Sequence, residues 1–435
     1  MTGHDDWRAR LRPRIGDEVQ YIVDAFAAKG ISVGVETQGA GVGYLYAEGE
    51  VLVLEQYVEP VRTILDRREP DQEGQASAEQ PERVLRGLVL MRFTGKSVPE
   101  VLEQIDRELG EGCASPNHIL TVSNGEASPC AATDPQEVCD GAEPYPSVCQ
   151  SNGGAGVRIF IADTGRLRDP GTHPWLAGVE GADDPGSPEF HGGKLLPYSG
   201  HGTFVAGVLR CLAPAAEVYI GDVFATAGSA RESDAAISLQ AALSGGWDIF
   251  HLSIASPTRK NLPLLSLGEW LKLVQRRKGT TCVAPAGNSA TSRPMWPGAA
   301  PHVACVGALA ADWRSRASFS NYGGWVDAYA PGRDLINAYA RGQFDCTMAP
   351  YYGQVRMFYG MAKWNGTSFS SPILTGLIAA RMWRTGENAS EAAGALLAEA
   401  RSRAIPGVGA IVLPCCDRPE PHCCDQRDAH CRGGR

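Results

Sequence analysis

Three stretches of this chain set residues capable of proton transfer or nucleophilic attack beside glycine, at the edge of an apolar run. Ile161-Ala162-Asp163-Thr164-Gly165 ends an apolar segment in an aspartate and a turn. Ser199-Gly200-His201-Gly202-Thr203 holds a histidine between two glycines, where an apolar helical pattern begins. Asn365-Gly366-Thr367-Ser368-Phe369-Ser370-Ser371-Pro372 crowds hydroxyls ahead of the apolar run Ile373–Ala380. A serine nucleophile needs a base to take its proton, and the base needs a third group to hold its tautomer. A fourth stretch, Val283-Ala284-Pro285-Ala286-Gly287-Asn288, ends in a carboxamide that could donate to an oxyanion. Taken singly, each has an ordinary structural explanation: a turn Asp, a loop His, a turn Asn, a helix-capping Ser.

The elements around them decide whether they meet. From 156 to about 412 short apolar runs alternate with helical patterns. Strands are expected at Val157–Ala162, Glu217–Phe224, Trp247–Ile254, Thr280–Ala284 and Val303–Leu309, and helices at Phe204–Leu212, Glu232–Leu243 and Leu267–Gln275. Such alternation predicts an α/β fold with a mostly parallel sheet and helices on both faces. Sites in such folds lie beyond the carboxyl ends of the strands, where Asp163 and Asn288 fall.

Asp, His, Asn and Ser come in that order, each at a strand end or helix start, and Asp…His…Ser is the chain order of subtilisin. On these motifs, "IADTG", "GHGTFVAG", "APAGN" and "NGTSFSSP", the sequence resembles the subtilases, the subtilisin-like serine endopeptidases. "WPGAAPHVACVGA" and "SFSNYGGWVDAYAPG" resemble framework segments of the same family, and the likeness covers roughly 156–385. It implies a peptide hydrolase in which Asp163, His201 and Ser368 form the triad and Asn288 donates to the oxyanion. It also implies that Ser253-Ile254-Ala255 lies along the substrate backbone and that Ala284-Pro285-Ala286-Gly287 walls the first specificity pocket. The small side chains there leave room for a sizeable apolar residue, although Pro285 replaces a more usual small one. Phe204 stands where the family often has a second His, which predicts changed packing rather than lost activity. No cofactor is expected. Calcium is common in the family, but no acidic cluster marks a metal site in this chain.

The bulk numbers narrow the partners. A formal charge of −9 with no Lys/Arg run argues against a nucleic-acid surface, and no run of 18 or more apolar residues argues for a membrane span. The first twenty residues lack an apolar stretch of signal-peptide type, so the reading is cytoplasmic. Residues 1–112 read as a small α/β domain, with a helix over Trp7–Lys29, a hairpin of Val42–Tyr46 with Val51–Leu54, strands at Val84–Phe93 and His118–Ser123, and a capping box at Ser97. Residues 113–155 read as a linker whose Cys113, Cys130, Cys139 and Cys149 are expected as thiols in a reducing compartment. Residues 413–435 carry a tandem octapeptide, CCDRPEPH then CCDQRDAH, readable as a zinc or copper ligand set or as a polar tail. The partner expected is a peptide or protein substrate. Subtilases often carry an inhibitory propeptide, so the N-terminal domain is expected to act as an intramolecular inhibitor. The alternative is an inactive subtilase-fold peptide-binding or regulatory protein recruited through that domain.

Overall fold

The computed structural model describes residues 17–38, 41–66, 79–122, 133–149, 152–169, 171, 173–348 and 350–414. The N-terminal part runs α1 (Asp17–Ala27), β1 (Val33–Gln38), β2 (Gly41–Leu54), α2 (Val58–Leu65), β3 (Glu82–Leu85), β4 (Leu88–Arg92), α3 (Val98–Leu109) and β5 (Ala114–Thr121). Its strands form an antiparallel sheet with β2 at the centre. The sheet's two faces follow from the alternation of side chains along a strand. Val51, Val53, Val89 and Met91 pack on α2 and α3, while Leu52, Leu88 and Leu90 turn to the opposite side. The capping box at Ser97 forms as expected: its hydroxyl accepts the Glu100 N–H, and Glu100 reaches back to the Ser97 N–H.

Two local expectations fail here. The segments 42–46 and 51–54 belong to one continuous strand, β2, not to a hairpin. Ala-Glu-Gly-Glu makes an irregularity inside that strand, with Gly49 at φ 70° and a register shift against β5 between Tyr46 and Val51, and the strand changes partners along its length, from β1 to β4. The run 84–93 is conversely broken, because Arg86-Gly87, with Gly87 at φ 88°, turns the chain between β3 and β4. The expected 7–29 helix is described only from Asp17 onward.

The remainder contains β6 (Arg158–Ala162), β7 (Glu180–Gly181), β8 (Lys194–Leu195), α4 (His201–Leu212), β9 (Glu217–Gly221), β10 (Ser229–Arg231), α5 (Glu232–Ala242) and β11 (Ile249–Leu252). After these come α6 (Leu265–Gln275), β12 (Thr281–Pro285), β13 (Val303–Leu309), β14 (Ala328–Pro331), β15 (Leu335–Asp345), β16 (Val355–Trp364), α7 (Thr367–Thr385) and α8 (Ala389–Ser402). Seven strands form a parallel sheet in the order β14-β13-β12-β11-β6-β9-β7. Ile159, Ile161, Ile249 and Val283 face a core with α4 and α7, and Phe160, Ala162, Phe250 and Cys282 face one with α5 and α6. The mainly parallel sheet with helices on both faces is therefore present. The long β15–β16 hairpin and α8 were not anticipated.

The two parts share structure. β10 pairs antiparallel with β5, matching Ser229 to Thr121 and Arg231 to Ile119. Leu52, Leu88, Leu90, Leu120 and Val122 enter the same core as Ala235, Leu239, Leu267 and Trp270. Helix N-termini leave backbone N–H groups without intrahelical partners, and polar side chains near the contact bond two of them. Asn117 Oδ1 accepts the Ser233 N–H of α5 at 3.0 Å, and Glu232 Oε1 accepts the Ser266 N–H of α6 at 2.8 Å. The other Glu232 oxygen lies 2.8 Å from His118 Nδ1, with both side chains buried. At the rim, Arg259 reaches Asp106 at 2.7 Å and Glu103 at 2.5 Å, both on α3.

Candidate active site

Asp163 follows the last residue of β6, and His201 opens α4. Glycine makes their approach feasible: Gly200 adopts φ 76° to turn into the helix, and a methyl group on Gly202 would lie 2.6 Å from the Gly165 carbonyl and 3.1 Å from Asp163 Cβ. His201 Nδ1 sits 2.8 and 3.0 Å from the two Asp163 carboxylate oxygens. Oδ1 also accepts the Thr164 N–H at 2.7 Å. Because an ionised carboxylate only accepts, Nδ1 carries the proton and Nε2 presents its lone pair. Burial pushes the Asp163 carboxyl up, but the His201 ring, the Ser253 hydroxyl and the Thr164 N–H more than offset this and hold it below the ordinary range.

Ser368 is the second residue of α7, whose first thirteen residues are all buried. Pro372 lacks the N–H that would bond to the Ser368 carbonyl, and the Ser371 hydroxyl instead approaches that oxygen at 3.5 Å. Ser371 thus has a local structural use. Asn288 is placed by Thr367, which sequence reasoning quoted but assigned no task. Asn288 Oδ1 accepts the Thr367 N–H at 2.9 Å and its hydroxyl at 3.0 Å, and the Gly287 N–H donates to the same hydroxyl oxygen at 3.0 Å. This turns the amide so that its Nδ2 side, the donor side, points away from Thr367.

Rings pack around the imidazole. The Phe369 ring centroid is 5.3 Å from that of His201, and Trp364 meets it edge-on at 5.7 Å. Phe204, one turn along α4, packs on Phe369 at 4.5 Å and on Trp364 at 5.6 Å, so the aromatic there fills space beside the histidine. The structure thus brings Asp163 and His201 into direct hydrogen bonding, joins Asn288 to the residue before Ser368, and sets Phe369 against His201. It does not bond Ser368 to His201: among the described residues, Ser368 Oγ and His201 Nε2 are both buried without a hydrogen-bond partner. Ser253, Ile254 and Ala255 follow β11, Ala284 and Pro285 end β12, and Ala286 and Gly287 lead on to Asn288. Ala284, Pro285, Ala286 and Gly287 are all buried.

Two buried groups close to the pair carried no recognisable sequence signal. Asp184 bridges the turns that bear Asp163 and His201: it accepts the Gly200 N–H at 2.8 Å and the Gly186 N–H at 2.8 Å, and lies 3.2 Å from Thr164 Oγ1. Burial pushes its carboxyl up to about 7, with the Asp163 charge acting in the same direction and the three donors against it. His251 lies beneath α7, 2.9 Å from Thr375 Oγ1. Burial pushes it down to about 4, against the pull of Asp163, so it is neutral at ordinary pH.

Chain from the N-terminal side flanks the site. Thr121 N–H donates to Ser256 Oγ at 3.1 Å and Val122 N–H to the Gly228 carbonyl at 3.0 Å. At the other flank the Thr133 carbonyl accepts the Trp364 indole N–H, and Thr133 Oγ1 lies 3.1 Å from Asn365 Nδ2. Cys113, Cys282, Cys305 and Cys346 are buried thiols, whereas Cys130 and the tandem octapeptide lie outside the described residues. Among the described residues no group of three or more His, Cys, Asp or Glu side chains is arranged to hold a metal ion, and no helix is long and apolar enough to cross a membrane.

A parallel sheet with an Asp–His pair at one strand end and a serine opening a buried helix defines a subtilisin-like architecture, and the Subtilase family model matches residues 154–402. The chain belongs to that family. It is 31% identical over 236 residues to M-protease of Shouchella clausii (strain KSM-K16), a match covering 52% of this chain and 54% of that protein. The chain thus spans about half the length of that relative. It is also 31% identical over 236 residues to Subtilisin Savinase of Lederbergia lenta, covering 52% of this chain and 76% of that protein. In fold it is similar to fervidolysin from Fervidobacterium pennivorans, described as a keratinolytic enzyme related to subtilisin. That likeness has a TM-score of 0.55 at 16% identity and covers 87% of this chain and 61% of the other.

Proposed function

We propose that this protein is a serine endopeptidase whose triad is Asp163, His201 and Ser368, with the N-terminal part acting as an inhibitor in cis. The observation that carries the reading is the buried Asp163–His201 pair at 2.8 Å, which leaves Nε2 as the lone-pair nitrogen beside the α7 turn holding Ser368. His201 Nε2 takes the Ser368 hydroxyl proton as Oγ attacks a peptide carbonyl, then returns a proton to the departing amine. Water repeats the sequence on the acyl-enzyme and frees the acid. Asp163 keeps the imidazole tautomer and stabilises the imidazolium. Asn288 Nδ2 and the Ser368 backbone N–H hold the oxyanion, where preorganised donors act most strongly. The substrate adds as a strand beside Ser253–Ala255, the mode in which main-chain hydrogen bonds supply affinity.

The inhibitory role is supported by the β5–β10 pairing and by the bonds of Thr121 to Ser256 and Val122 to Gly228, which tie the end of the N-terminal part beside the segment proposed to bind the substrate backbone. Burial of Ser368 and His201, exposed by 0% and 1%, supports a latent state. The test is intact mass after a fluorophosphonate probe, on the full chain and on Ser368→Ala. One adduct on the first and none on the second is expected, with labelling that quickens once the chain is cut between Val122 and Thr133. Peptide hydrolysis surviving in Ser368→Ala overturns the reading.

A further inference from the structure

We infer that Asp184 is a positioning residue for the proposed reaction: through Gly200 and Thr164 its carboxyl ties the turn that presents His201 to the turn that presents Asp163. The inference rests on the peptidase reading above and adds to the triad a group that acts through other residues.

The geometry carries the argument. His201 opens α4, where backbone N–H groups have no intrahelical partner. The His201 N–H goes to the Tyr198 carbonyl at 3.1 Å, and the acceptors for its two neighbours both lead to Asp184. Asp184 Oδ2 accepts the Gly200 N–H at 2.8 Å. Thr164 Oγ1 accepts the Gly202 N–H at 3.3 Å and donates its proton to the same Asp184 oxygen at 3.2 Å. One carboxyl therefore grips the backbone on both sides of the histidine, directly before it and through a hydroxyl after it. Thr164 follows Asp163 and gives its own N–H to the Asp163 carboxylate at 2.7 Å, so the same residue is bonded to both aspartates.

Asp184 is itself braced. Its Oδ1 accepts the Gly186 N–H at 2.8 Å, its carbonyl accepts the Ser187 N–H at 3.1 Å, and its own N–H donates to the Arg166 carbonyl at 2.9 Å. The Ser199 hydroxyl donates to the Gly186 carbonyl at 2.8 Å, which fastens this loop to the residue before Gly200. Three donors thus converge on two oxygens, a load that an ionised carboxylate carries because it only accepts. An amide at this position keeps one accepting oxygen and turns N–H groups towards another donor, so Asn is close in shape and wrong in bonding. The ionisable groups around Asp184 come from several elements. Asp163 stands at the end of β6 and pushes the Asp184 carboxyl up. A cavity of about 290 Å3 beside Asp184 and Thr164 is lined by His191 and Tyr198 and, from the N-terminal part, by Tyr21 and Lys29. The neighbouring Asp183 pairs with Arg168 at the surface.

The experiment uses the full chain, with peptide hydrolysis and fluorophosphonate labelling followed across neutral pH and melting curves to verify folding. Asp184→Asn should lower kcat by about 10–100-fold with KM little changed, the loss expected when a reacting group is misplaced by up to about 1 Å. The pH profile is the readout that a purely structural residue would not move. Burial holds the Asp184 carboxyl up at about 7, within the range scanned. Two groups, His201 and Asp184, must then lose a proton, so wild-type kcat/KM should rise with pH more steeply than one ionisation allows. Asp184→Asn should rise as a single ionisation. Thr164→Val, which removes the hydroxyl link and keeps Asp184, should lose a similar factor, and Thr164→Ser should recover nearly all of it. The double variant Asp184→Asn/Thr164→Val should lose little more than either single one, because the two side chains act as a unit. An unchanged kcat and pH profile in a folded Asp184→Asn overturn the inference. Equal turnover in Thr164→Val and Thr164→Ser overturns it even where Asp184→Asn does not fold. The NMR signal of the His201 Nδ1–H proton separates the two readings. Absence of both hydrolysis and labelling in the wild type sinks the peptidase reading; a His201 signal that still shifts or exchanges faster in Asp184→Asn leaves the clamp standing, and an identical signal sinks the clamp as well.

Discussion

Replacing Arg259 by alanine should loosen the N-terminal part and unmask the serine. The Arg259 guanidinium is 8% exposed and bonds Asp106, itself 7% exposed, and Glu103, which is 57% exposed. Breaking one side of a buried ion pair costs about 3–5 kcal/mol. Lys260 lies 2.8 Å from Asp106 and remains to pair with it, and Glu103 regains water, so the effect falls at or below the lower end of that range. A loss of about 2–3 kcal/mol in docking, at about 1.4 kcal/mol per tenfold, raises the undocked fraction by about 30–140-fold. Both contacts lie on α3, away from Ser368, so the chemistry itself should be untouched. The assay is the second-order rate of fluorophosphonate labelling on uncut chain, wild type against Arg259→Ala. Arg403→Ala serves as a control, since that pair is 69% and 45% exposed and surface pairs contribute little. The expected rate rises by one to two orders of magnitude for Arg259→Ala and not for the control. An unchanged rate, while hydrogen exchange shows β5 and β10 opening more often, would refute the masking argument.

Asn288→Ala should lower kcat by about 10²–10³, the size established on subtilisin itself for losing one oxyanion donor, with KM little changed; undiminished turnover would remove Asn288 from that task. Asp184 gives a pH signature. Its carboxyl is held up at about 7, against about 3.9 in an unfolded chain. Between these values the folded chain keeps a proton the unfolded chain has lost, so this group's contribution is full below about 4 and is lost as pH rises through about 7. Asp184→Asn removes that slope, and urea unfolding at pH 4 and pH 8 should show the variant gaining on the wild type by up to about 4 kcal/mol, at about 1.4 kcal/mol per pKa unit. A pH-independent difference between the two would sink this assignment.

Legibility followed the range of the interactions. Asp163, His201 and Ser368 were readable because each sits at a junction marked locally by glycine, an apolar run or a helix start. Asp184 was not, since its meaning depends on Thr164 and Gly200, on separate turns. Thr367 lay inside a quoted motif, yet its tie to Asn288 spans 79 positions. The β15–β16 hairpin escaped notice because Val355, Met357 and Tyr359 are apolar on the exposed face, which erases the polar alternation of a half-buried strand. The β2 run misled in the opposite way: Glu48 and Gly49 look like a turn, but they make only an irregularity inside one strand, which continues beyond them with a different partner.

The bonds at Val122 and Thr133 have a kinetic consequence. Each end of the intervening segment is anchored separately, one to Gly228 and the other to Asn365 and Trp364. Hydrolysis between them leaves every one of those bonds in place. What changes is the order of the reaction: an inhibitor on a short tether rebinds at an effective concentration of about millimolar, and a severed one rebinds at whatever concentration the solution holds. On the inhibitory reading proposed above, cutting quickens labelling only as far as dilution lets the severed part leave, so labelling of cut protein should rise as the protein is diluted.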